Sequence, residues 1–102
     1  MLFLMRVTIP VEVGNALVRD PNFAQRMQEM IGDIKAEAVY FIIEGGQRTV
    51  YLFVQVSEAS RLPSLCEPFW LSMNASVECF PAMTQEEMEK ATPLLEQIAK
   101  KY

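Results

Sequence analysis

The sequence predicts an α+β fold built on a small antiparallel sheet, and three features of its 102 residues carry that expectation. Glu37 to Val56, EAVYFIIEGGQRTVYLFVQV, reads as a β-hairpin closed by Gly45-Gly46, because glycine reaches positive φ at little steric cost. Ahead of it, Phe23, Met27, Met30, Ile31 and Ile34 recur at three- and four-residue spacing, the stripe of an amphipathic helix. Near the end, Thr84-Gln85-Glu86-Glu87 has the threonine and glutamate of a capping box, which opens a further helix.

Met1 to Ile9 is the first strand, apolar enough on both sides for a central position and ended by Pro10, which cannot donate to a ladder. A short helix follows over Val11 to Arg19. Asp20-Pro21 then looks like a cap and first helical position for the striped helix, since proline's missing N–H is tolerated there. After the hairpin, Leu62, Leu65, Cys66 and Phe69 keep helical spacing, so Ala59 to Leu71 reads as a short helix distorted by Pro68. Asn74 to Phe80 is a fourth strand whose polar alternate residues suit an edge. In the last helix Met88, Ala91, Leu95, Ile98 and Tyr102 form a narrow apolar stripe, and Pro93 is expected to kink it.

The order βαββαβ with one extra C-terminal helix is the ferredoxin-like plan: a four-stranded antiparallel sheet with helices on one face, in a single domain over residues 1–102. The hairpin is apolar on both of its faces. In the first strand Val39, Phe41 and Ile43 point one way and Ala38, Tyr40 and Ile42 the other, and in the second Val50, Leu52, Val54 and Val56 oppose Thr49, Tyr51 and Phe53. A sheet with one wet face alternates apolar and polar residues. The second face therefore calls for a second subunit or a large ligand, and the expectation is a homodimer through the sheet face, a dimeric α+β barrel. Such an interface buries on the order of 1,600 Å² or more.

Composition narrows the chemistry. A net charge of −4, with Lys100-Lys101 the one adjacent basic pair, offers no basic face for nucleic acid. The apolar start is short, is interrupted by Arg6, and lacks the basic residues and cleavage signature of a secretory signal. No run approaches the roughly 20 apolar residues that span a bilayer. With Cys66 and Cys79 read as free thiols rather than a disulfide framework, the expectation is a cytoplasmic protein that engages neither membrane nor nucleic acid. The chain has no histidine, which removes serine–histidine and cysteine–histidine nucleophile pairs and the commonest zinc sets. The two cysteines are thirteen apart, which is no known ligand spacing, so neither a metal nor another cofactor is expected.

Several polar and aromatic residues remain as candidates, each with a plainer alternative. Glu67, within Cys66-Glu67-Pro68-Phe69-Trp70, would be a general acid or base if a pocket desolvated it, and otherwise a solvent-facing charge. Arg48 could hold an anion, or pair with Glu44 across the hairpin turn. Tyr40 and Tyr51 could line a pocket or bond to backbone, and Trp70 could line a cavity or fill core. Asn74 could contact a ligand or simply form a turn. Glu78 could be a base or an edge charge that discourages aggregation. Met27, Met30, Met73, Met83 and Met88 read as gap-filling core.

Across nearly its whole length the chain resembles a family of small bacterial proteins of uncharacterised function. The matching residues are Gly14-Asn15-Ala16, Glu37-Ala38-Val39-Tyr40-Phe41, Gly46-Gln47-Arg48-Thr49, Glu67-Pro68-Phe69, Asn74-Ala75-Ser76-Val77-Glu78 and Pro81-Ala82-Met83-Thr84. The resemblance implies the dimeric α+β barrel and no particular reaction. The inferred plan, as distinct from any motif, also resembles that of cofactor-independent monooxygenases and small lactone isomerases, which often rely on histidine where this chain has none. Two functions follow as expectations. One is a homodimeric module that binds a small, mostly apolar molecule or serves for assembly. The other is a small enzyme in which Glu67 acts as acid or base and Arg48 or Tyr40 orients the substrate.

Overall fold

The computed structural model describes residues 1–102. Eight elements follow in order: β1 (Leu2–Ile9), α1 (Val11–Arg19), α2 (Phe23–Ile34), β2 (Ala38–Glu44), β3 (Gln47–Gln55), α3 (Leu62–Met73), β4 (Ser76–Pro81) and α4 (Gln85–Lys101), with a 3-10 turn at Ala59–Arg61 leading into α3. The strands form one antiparallel sheet in the order β2-β3-β1-β4. This is the ferredoxin-like arrangement, with β1 central and β4 at an edge as the residue patterns predict. Gly45 and Gly46 both have positive φ, 59° and 74°, the mirror-image turn whose twist matches a hairpin.

Register fixes which residues share a face. Met5 lies opposite Leu52 on one side and Cys79 on the other, and Val7 opposite Val50 and Val77. These odd positions of β1 and even positions of β3 face the helices. Met5, Leu52 and Phe69 are fully buried, with Leu65, Cys66 and Met73 of α3 and Met27 and Ile34 of α2 closing over them. That contiguous cluster holds the fold together, since a buried side chain of this size contributes about 1.5–3 kcal/mol.

Local structure departs from the residue patterns at several joints. Asp20 does not cap α2. Its carboxylate accepts the Asn22 N–H at 2.9 Å, forming a turn of its own, and α2 begins at Phe23. α3 runs on through Pro68 to Met73 and ends on Asn74, whose left-handed backbone (φ 47°) delivers its N–H to the Trp70 carbonyl. Ala75 then bonds back to Phe69, so β4 starts at Ser76 rather than Asn74. α4 continues unbroken past Pro93.

Coverage of the helix-side face is incomplete. Phe41 and Ile43 of β2 share that face with buried Val50, yet they remain 65% and 83% exposed. α4 buries none of its residues. The molecule measures 59 × 28 × 20 Å and its radius of gyration is 17.2 Å, against about 13 Å for a compact chain of this length.

Candidate functional site

The opposite face of the sheet has no helix on it, and it carries the largest assembly of interacting polar side chains. Arg6 sits at its centre because β1 is the central strand. Tyr51 of β3 and Glu78 of β4 are its cross-strand partners. The Arg6 guanidinium donates to Glu78 Oε1 at 2.7 Å and lies 3.5 Å from Glu44 Oε1. The Tyr51 hydroxyl donates to Glu44 Oε2 at 2.5 Å. The bond to Glu78, then that to Tyr51, and the two carboxylate charges hold the Arg6 guanidinium still more firmly protonated than usual. One cation against two carboxylates leaves the cluster at −1.

Apolar groups frame this network. Leu2, Leu4 and Phe53 are half-buried, while Tyr40, Ile42 and Phe80 are exposed. Tyr40 meets Phe53 edge-on, with ring centroids 6.5 Å apart, and Arg6 lies over the Phe80 ring at 5.6 Å. The face therefore offers an oily floor around a net-negative hydrogen-bonding centre. Thr49 belongs to the same face but is buried, with its hydroxyl on the Gln47 carbonyl.

Of the residues singled out from sequence, Tyr40, Tyr51 and Glu78 come together here. The others do not. In the hairpin, Ile43 pairs with Arg48 and Glu44 with Gln47, so Glu44 and Arg48 project to opposite faces and form no ion pair. Arg48 instead crosses α1, donating to Asn15 Oδ1 at 3.2 Å and to the Val11 carbonyl at 3.5 Å. Gly14 makes room for it, since a Cβ there would collide with Arg48 Nη1. Glu67 is exposed on α3, on the helix side of the sheet, and Trp70 is exposed nearby. Asn74 serves as the helix C-cap. Tyr40 lies on the opposite side of the sheet from Glu67, and Arg48 is tied to α1, so neither residue expected to orient a substrate is a bonded partner of Glu67.

Two partners in the cluster, Arg6 and Glu44, carry a signal in the sequence that is visible only with the register in hand. Arg6 is the one charge in an apolar central strand, and a central position always brings two cross-strand neighbours. Among the methionines, Met27 and Met73 fill core as expected and Met30 is half-buried, but Met83 and Met88 are exposed. The Cys66 and Cys79 sulfurs lie 3.5 Å apart as free thiols. Burial, then the contact with Cys79, pushes the Cys66 thiol up to about 12. No three metal-ligating side chains gather anywhere, and no helix is long and apolar enough to cross a membrane. Compared with protein-family profiles and with curated proteins, the chain matches none.

Proposed function

We propose that the protein is a homodimer whose uncovered sheet faces meet and enclose a small, mostly apolar molecule between them. The observation that carries this is the composition of that face: Leu2, Leu4, Tyr40, Ile42, Phe53 and Phe80 exposed or half-exposed around the Arg6–Glu44–Glu78–Tyr51 network. Apolar area of this extent on one surface marks an interaction site. A few placed polar groups within an oily lining are what orients a bound molecule. Because the two carboxylates already satisfy Arg6, the polar end of the ligand is neutral or positively charged and donates a hydrogen bond. A free carboxylate would face net repulsion.

Light scattering after gel filtration tests the assembly, and native mass spectrometry of freshly purified protein tests the cargo. A mass of two chains carrying a small additional component is the expected result. A monomer at micromolar concentration would falsify the proposal.

A further inference from the structure

Two apolar surfaces lie outside the sheet face just described, and each lacks a partner within its own chain. The first is α4, where Met88, Leu95 and Ile98 run along one side at helical spacing and stand 45%, 48% and 52% exposed. The second is a groove of about 680 Å³ on the helix side of the β2 edge. Phe23 and Met27 of α2 form one wall, Phe41 and Ile43 of β2 the other, and Ile9 and Val50 the floor. A cleft open along an edge, with one helical wall and one strand wall, has the shape that receives an amphipathic helix.

The two surfaces sit at diagonally opposite corners. α4 leaves from β4, whose last residue Pro81 pairs with Phe3 at the start of β1. The groove lies beside β2, on the far side of the sheet, at the Ile9 end of β1. That is three strand spacings across and six residues along, roughly 25 Å in all. The three residues Ala82 to Thr84 span about 10 Å, and α4 buries none of its residues against its own chain.

We infer that α4 is an exchange arm: in a pair of copies, each α4 lies in the β2-edge groove of the other. Charge supports a second copy as the occupant. Arg48 is the one charged residue lining the groove, and the first half of α4 carries Glu86, Glu87 and Glu89 against Lys90 alone. The acidic half of the arm therefore lies toward Arg48 and the Lys100-Lys101 end away from it. Size supports it too. A helix of 17 residues is about 25 Å long and about 10 Å across. Burying a third to a half of it, with a matching groove area, in both seats of a symmetric pair removes about 1,200 Å² in total, the threshold of a stable interface. The arm exchange stands whether or not the sheet faces also meet.

Mixing two singly substituted chains, Met88→Cys and Ile43→Cys, under mild oxidation tests the exchange directly, because both positions are exposed and Ile43 pairs with Arg48, where the acidic half of the arm lies. The expected product is a covalent pair formed in the mixture, with mass-spectrometric mapping placing the link between positions 88 and 43. Absence of that link, or an intrachain link in a chain bearing both substitutions, overturns the inference. Ile43→Glu supplies a second measure: it is expected to raise the dimer dissociation constant roughly tenfold or more, and an unchanged constant counts against the groove. Leu4→Glu separates the two interfaces. If the sheet-face proposal fails while the arm exchange holds, this variant dimerises normally and its partners still cross-link through positions 88 and 43.

Discussion

Arg6 Nη2 and Glu78 Oε1 face each other at 2.7 Å across the β1–β4 pair, on the side of the sheet that no helix covers. A charge-assisted bond between strands at the middle of an oily surface fixes side chains that would otherwise be free, and it orients the neighbouring carboxylate and phenol as well.

Arg6→Ala is expected to lower the melting temperature by a few degrees at low ionic strength, because it leaves Glu44 and Glu78 as close like charges. The loss should nearly vanish at about 1 M salt, where screening acts within about 3 Å. Calorimetric scans at both salt concentrations check this. A deficit that persists in high salt would assign the effect to lost packing over Phe80 instead.

Phe69 is wholly buried where α3 meets the sheet. Phe69→Ala should cost about 3–5 kcal/mol of unfolding free energy, the sum of lost transfer and residual cavity. Urea denaturation followed by far-UV circular dichroism measures it. A loss below about 1 kcal/mol would mean that α3 is not the lid of the core.

Alkaline pH acts through Cys66. Its thiol is pushed up to about 12 in the folded chain, against about 8.5 when unfolded. The folded state therefore favours the protonated thiol. Its contribution is fully present below about pH 8.5 and declines as pH rises from there toward 12. Urea midpoints taken between pH 8 and 10 should fall more steeply for the native sequence than for Cys66→Ala. Parallel declines would show that other groups govern the loss.

Strand order, hairpin, helix stripes and the Thr84 capping box were legible in the residues because each depends on local spacing or turn chemistry. The capping box forms fully, with the Thr84 hydroxyl on the Glu87 N–H and the Glu87 carboxylate on the Thr84 N–H. The start of α2 was not legible, since Asp20 prefers to bond two residues onward as an Asx turn and thereby delays the helix. The Arg48–Glu44 pair was misread because a single step of register reverses the face of every side chain. The Arg6 cluster was hidden for a related reason. Its four members come from four different strands, and only the sheet order makes them neighbours.

The two borders of the sheet differ in how they meet water. β4 presents Ser76, Glu78 and a terminal Pro81, all of which discourage another strand from pairing. β2 presents Ala38-Val39-Tyr40-Phe41-Ile42-Ile43 with neither charge nor proline in the run, the composition that templates fibrillar stacking. The β2 border is therefore the one at which precipitation of this protein is expected to start.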